Sequence, residues 1–201
     1  HCSVRRQRQM CIRDSCEMII RQTVVLQRIV DEFSKFARMP EPQKKVININ
    51  ELIKSSVLLQ KAVYDEIQFN LDLKGLNSKI FGDTTMLSQA LTNLLKNAAE
   101  SITSLNNNVF NNDGKIGYID IVTEVNSYYL KIKIIDTGVG LNKNITNFFE
   151  PYVTTKQNGT GLGLAIVRKI IEQHEGSLIL YNSIKVLPVS YTHLTLPTNG
   201  T

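Results

Sequence analysis

The stretch "GTGLGLAIVRKIIEQHEG", Gly159 to Gly176, sets glycine at 159, 161 and 163 and then passes directly into a helical pattern. A helix start carries unpaired N–H groups and the positive end of the dipole, so it attracts anions. Glycine there lets an anion reach the backbone without a Cβ in the way. The spacing is neither the P-loop nor the dinucleotide fingerprint: read from Gly159, the last glycine of G-x-G-x-x-G falls on Leu164, and no G-K-[ST] follows. Taken alone, the stretch reads equally well as a flexible loop before a helix.

Two stretches upstream narrow the reading. "IIDTGVG" (134–140) is a hydrophobic strand that delivers Asp136, followed by Gly138 and Gly140. A carboxylate at a strand end can accept from an exocyclic amine, and the glycines admit a flat ring close to backbone. A turn after a strand uses the same residues. Further upstream, Asp83 caps a helix running to about Leu105. Met86, Leu87, Ala90, Leu91, Leu94, Leu95, Ala98, Ala99 and Ile102 fill one apolar arc of it at 3.6-residue spacing. Asn97 falls inside the edge of that arc and Asn93 lies one turn before it. A buried amide needs hydrogen-bond partners. Backbone satisfaction is the plain explanation, and two stacked asparagines strain it.

Elsewhere the chain alternates helices with short strands. Residues 16–39 form a helix with a heptad seam of Ile19, Thr23, Leu26, Val30, Phe33 and Ala37, widened by Val25, Ile29 and Phe36, which calls for a partner helix. "MPEP" (39–42) ends it. "VINI" (46–49) is a strand, and Asn50 caps the helix "ELIKSSVLLQKA". "IQFNLDL" (67–73) and "KIF" (79–81) are extended, and 106–114 is an asparagine-rich loop. Strands 118–125 and 128–135 flank a tight turn at Asn126-Ser127. After the long loop 136–160 and the helix of about 160–175 comes the strand "SLILY" (177–181), with "IKVL" (184–187) the stub of another. Helices with a largely antiparallel sheet predict an α+β, two-layer sandwich.

Composition excludes several classes. Hydrophobic residues make up 42% of the 201, enough for a packed core. No apolar run reaches the roughly 18 residues of a membrane span, and no secretory signal is visible. The net charge of +5 is concentrated at the N-terminal end, where Arg5, Arg6, Arg8 and Arg13 face one acid, Asp14. The near-neutral body gives no electrostatic reason for nucleic-acid binding. Cys2, Cys11 and Cys16 have neither disulfide nor metal spacing. Segments 1–15 and 188–201 lack clear periodicity, and "HCSVRRQRQMCIRDS" and "VSYTHLTLPTNGT" resemble translated adaptor or assembly strings. They are read as foreign or disordered tails and left out of the fold. His174, the one histidine between those tails, closes a helix ahead of Gly176, where dipole and C-cap favour it. A capping role outweighs a phosphoacceptor role there.

The motifs are far more specific together than apart. "NLLKNAAES" (93–101), "DTGVG" (136–140), "FFEPYVTTK" (148–156) and "GTGLGLAIV" (159–167), in that order, resemble the ATP-binding domain of bacterial sensor histidine kinases. This fold is shared with gyrase, a heat-shock chaperone family and mismatch-repair ATPases. The resemblance covers 45–187, and "IVDEFSKFARMPEP" (29–42) is similar to the second dimerisation helix (16–42) of nitrogen-regulation sensors of the NtrY type. It implies a Bergerat-type sandwich binding ATP and Mg²⁺. Asn97 would ligate the metal, and Asn93 would support metal or phosphates. Asp136 would bind the adenine amine, with Gly138 and Gly140 lining its pocket. Phe149, Glu150, Pro151 and Tyr152 belong to a lid and Lys156 would reach phosphate. Gly159, Thr160, Gly161, Leu162 and Gly163 would cradle the phosphates. Asn93, Asn97 and Lys156 would be the catalytic set.

The resemblance further implies a protein histidine kinase, cytoplasmic in its catalytic portion, with a response-regulator receiver domain as partner. It implies a homodimer through helix 16–39, and membrane contact only through parts outside this chain. No H-E-x-x-N-P acceptor motif occurs, and the final strands look cut short, so the sequence reads as a fragment. An ATP-hydrolysing relative would carry Glu where Asn93 stands, to activate water. A dimerisation or scaffold module with a vestigial pocket is the non-enzymatic alternative.

Overall fold

The computed structural model describes residues 2–74, 79–105, 114–141, 147–154, 156, 159–183 and 189–197. They fall into two units, 1–40 and 41–201.

The first unit is a single helix, α1 (Cys2–Ala37). It starts well before residue 16, which corrects the reading of 1–15 as a tail without helical structure. The physical reason is simple: no Gly or Pro interrupts residues 2–37, and Arg, Gln and Met favour the helix. Glu17 lies within salt-bridge range of both Arg13 and Arg21 at i,i+4 spacing. Met18, Ile19, Val25, Leu26, Val30 and Phe33 are all exposed on α1.

The second unit opens with β1 (Lys45–Asn48) and α2 (Ile49–Val63). The cap of α2 is Asn48, not Asn50: the Asn48 side chain accepts from the Asn50 N–H at 3.1 Å and its amide donates to Glu51 at 3.1 Å. Asn50 is buried inside the first turn. β2 (Ile67–Leu73) and β3 (Lys79–Gly82) follow, and β3 pairs antiparallel with β1 as a separate ribbon.

α3 (Thr84–Thr103) starts at the predicted cap: Asp83 accepts from Thr85 N at 2.9 Å and Met86 N at 3.0 Å. Its other oxygen accepts from Gln43 N at 2.8 Å. Burial acts to raise the Asp83 pKa, but these N–H donors outweigh it and hold the carboxyl below its ordinary range. The nine apolar residues of the predicted arc are the buried residues of α3.

β4 (Gly117–Val125) and β5 (Tyr129–Asp136) form an antiparallel hairpin. Its turn is longer than the predicted pair, because Asn126 Oδ1 accepts from both Tyr128 N (2.9 Å) and Tyr129 N (2.8 Å). α4 (Gly163–Gln173), β6 (Ser177–Ser183) and β7 (Val189–Pro197) complete the unit. The predicted stub at 184–187 lies outside the described residues.

The main sheet has the order β2-β4-β5-β7-β6, with β2 parallel to β4 and every other pair antiparallel. α2, α3 and α4 contact it as the second layer, with α3 packed against both of the other two. The α+β sandwich is therefore as predicted. β7 corrects the sequence reading of 188–201: it is an interior strand between β5 and β6. Leu194 and Leu196 alternate into the core, 3% and 1% exposed, beside fully buried Leu130 and Ile132. The period-two signal in "HLTLP" was short, and unusual composition around it hid it.

His174 ties α4 to α3 within the helical layer. Its Nδ1 donates to Ile170 O at 2.7 Å and its Nε2 accepts from Asp83 N at 2.9 Å. Nδ1 thus holds the ring to its own helix while Nε2 joins the end of α4 to the start of α3, and the side chain is 2% exposed.

Candidate functional site

The candidate site residues lie along one side of α3, at the end of β5 and at the start of α4. Asn93 and Asn97 stand one turn apart on α3, both half-buried. Gly163 opens α4, and Asn97 Nδ2 lies 3.9 Å from where a side chain on Gly163 would begin. The sequence motifs at 97 and 163 therefore meet in space.

α4 begins without a side-chain cap: Leu162 occupies that position, makes no capping hydrogen bond, and no acid follows in the first turn. Its first-turn N–H groups thus have neither a capping side chain nor a carboxylate of their own turn. Leu162 is fully buried, so it anchors the helix start through its side chain and can offer a ligand only its backbone. Thr160 Oγ1 accepts weakly from Leu162 N at 3.5 Å.

Asp136 ends β5 at 5% exposure, and its Oδ1 accepts from Gly138 N at 2.9 Å. Gly138 passes so close to α3 that a Cβ would fall 2.1 Å from Ser101 Oγ and 2.6 Å from the Ser101 carbonyl carbon. Val139 N donates to Ser101 O at 3.3 Å. The glycine brings the loop onto α3 and fixes Asp136 relative to the asparagines. Gly140 has φ 75°.

Between these anchors, the predicted lid residues are stitched to one another. Tyr152 N donates to Gly161 O at 3.1 Å. Gly161 has φ 68°, and a Cβ there would meet the Tyr152 carbonyl carbon at 2.5 Å. Tyr152 itself has φ 68° and is 54% exposed. Glu150 accepts from Asn147 Nδ2 at 2.7 Å, and Pro151 is exposed. The Arg168 guanidinium on α4 lies 5.6 Å from the Phe149 ring centroid, a cation–π contact. Gly159 N donates to Lys156 O at 3.1 Å. The Lys156 ammonium donates to Glu100 on α3, which also lies 3.7 Å from the Lys96 ammonium.

Glu100 and Ser101 are the residues that motif reading passed over. Both belong to the quoted "NLLKNAAES", and neither has a role legible from spacing alone. Among the described residues no group of three His, Cys, Asp or Glu side chains could hold a metal by itself. The chain offers instead a neutral amide, a buried carboxylate and an uncapped helix start.

This arrangement has known counterparts. The family model described as histidine kinase-, DNA gyrase B- and HSP90-like ATPase matches residues 82–199. The chain belongs to that family. Its match runs through β7, beyond the boundary at 187 read from the sequence. Nitrogen regulation protein NtrY of Azorhizobium caulinodans is 41% identical over 93% of this chain and 24% of its own length. A protein of Rickettsia typhi named as an NtrY-like sensor histidine kinase is 34% identical over 83% of this chain and 26% of its own. The chain thus spans about a quarter of the length of these curated relatives. Among solved structures, the nucleotide-free catalytic domain of histidine kinase ThkA is 28% identical with a TM-score of 0.64, covering 78% of this chain and 96% of that one. ThkA in complex with response regulator TrrA shares the fold, with a TM-score of 0.67 at 23% identity over 91% of this chain and 50% of that one. The family's ATP-binding fold supports nucleotide binding by this chain. Among the described residues no helix is long and apolar enough to cross a membrane.

Proposed function

We propose that this chain is the nucleotide-binding catalytic portion of an NtrY-type sensor histidine kinase, which moves the γ-phosphoryl group of ATP to a histidine and then to a response-regulator aspartate. The observation that carries the reading is the uncapped start of α4 set against Asn97. The residues present fit a magnesium nucleotide. Asn97 supplies a neutral oxygen, and Mg²⁺ bound to phosphate oxygens needs few further protein ligands. Asn93 supports the same region from the preceding turn. Asp136 is suited to accept from the adenine amine, with Gly138 and Gly140 beside it. Gly159 to Gly163 present backbone donors to phosphates, and Lys156 adds a cation. Bound Mg²⁺ would neutralise phosphate charge.

The chain's own residues act by holding the nucleotide in place and by countering charge, which is most of what phosphoryl transfer asks of a protein. A hydrolase of this family needs a base for water, and the amide of Asn93 cannot take up a proton. That favours transfer over hydrolysis, in agreement with the relatives' names. The exposed apolar stripe of α1 suits pairing with the same helix of a second copy. A receiver domain is the partner that the ThkA–TrrA complex suggests. On this reading the portion works in the cytoplasm, whatever anchors the longer protein.

Calorimetric titration with ATP, with and without Mg²⁺, beside Asn97→Ala, tests the reading. Mg-dependent binding that the variant loses is the expected result. A folded protein that binds no ATP overturns it and moves the scaffold alternative forward.

A further inference from the structure

Lys156 has a partner that the nucleotide reading does not use. Its ammonium donates to Glu100 Oε2, and both side chains are partly shielded, at 38% and 30% exposure. Glu100 also holds Lys96 within 3.7 Å from one turn earlier on α3. The Glu100 charge is felt further: burial first, and then this carboxylate, raise the Tyr64 phenol above its ordinary range. Glu100 lies three residues, about one helical turn, beyond Asn97. A negative charge therefore stands on the helix that would carry the metal ligand, close to where phosphates would lie.

We propose that Glu100 is a positioning residue that sets nucleotide affinity by competing with phosphate for Lys156. This rests on the nucleotide-site reading above. With no nucleotide, the carboxylate neutralises Lys156 and holds it to α3, while Lys156 O accepts from the Gly159 N–H. A triphosphate draws the ammonium away, and the lost ion pair subtracts from the binding it gains. Adenosine carries no phosphate and gives Lys156 nothing to exchange for. Glu100 thus weakens ATP selectively, holding affinity below what the same pocket would otherwise reach.

The test is calorimetry of the whole chain with ATP and Mg²⁺, and separately with adenosine, for wild type, Glu100→Gln, Lys156→Ala and the double variant. Glu100→Gln is expected to tighten ATP about two- to fivefold, the range of a partly exposed ion pair, and to leave adenosine unchanged. In the Lys156→Ala background the gain should vanish, as a double-mutant cycle requires of a direct coupling. Glu100→Asp, which keeps the charge but shortens its reach, should move ATP affinity in the same direction by less and serves if the Gln variant does not fold. An equal gain with and without Lys156 overturns the proposal, as does Glu100→Gln binding ATP no better than wild type. If wild type binds neither adenosine nor ATP, the nucleotide reading itself falls. If it binds both and Glu100 makes no difference, only this inference falls.

Discussion

α3 and α4 begin in opposite ways. α3 satisfies its own start: Asp83 accepts from two of its N–H groups and the carboxylate faces the positive end of the dipole. α4 has no such side chain and is held by burying Leu162 completely, with Gly163 bare behind it. The first arrangement spends the helix start on folding. The second fixes the helix by apolar contact and leaves its polar end for something else. One body thus contains a helix start capped by a carboxylate and one held by apolar contact, told apart by the residue at a single position.

Leu162→Ala is the strongest way to break that contrast. Removing the anchor should cost about 2–5 kcal/mol, read as a lowered denaturation midpoint, and should loosen nucleotide binding with it. Asp83→Ala comes next: loss of the cap should cost about 0.5–2 kcal/mol without changing ATP affinity. Because the folded pKa of Asp83 lies below its unfolded value, its contribution is full above the ordinary carboxyl range and fades as pH falls through the folded pKa. Urea denaturation at neutral pH and near pH 3 should therefore show a smaller acid loss in Asp83→Asn than in wild type. Gly163→Ala sharpens the comparison from the other side. Asn97 Nδ2, at 3.9 Å, leaves room for the methyl group. Tm should not fall, while ATP affinity drops roughly tenfold, as expected for one disturbed charge-assisted contact. Arg168→Ala, removing the cation over Phe149, should lower stability by about 0.5–1 kcal/mol and should raise proteolysis between Phe149 and Gly161.

The α3 arc was legible residue by residue, because a period of 3.6 sustained over five turns has no competing explanation. Asp83 was legible as a cap for the same local reason. The cap of α2 was displaced by two positions, since "NIN" offers two equivalent asparagines and only the backbone conformation chooses Asn48. β7 was missed because four alternating residues cannot be told from chance until a neighbouring strand supplies the register. The parallel pairing of β2 with β4 is a non-local fact that neither strand's pattern contains. In the site, the glycines and asparagines could be named from motif order, but their proximity could not. Glu100 was invisible: an acid on a helix reads as solvated until a cation from a segment 56 residues away is found on it.

The position of β7 bears on how the chain is made. β5 and β6 share no ladder; each is joined to β7, which follows both in the chain. During synthesis β2, β4 and β5 can assemble early, whereas β6 emerges with nothing to pair with and waits as an unprotected edge carrying Ile179 and Tyr181. Any pause or early stop before Val189 leaves α4 hung on a strand that has no place in the sheet.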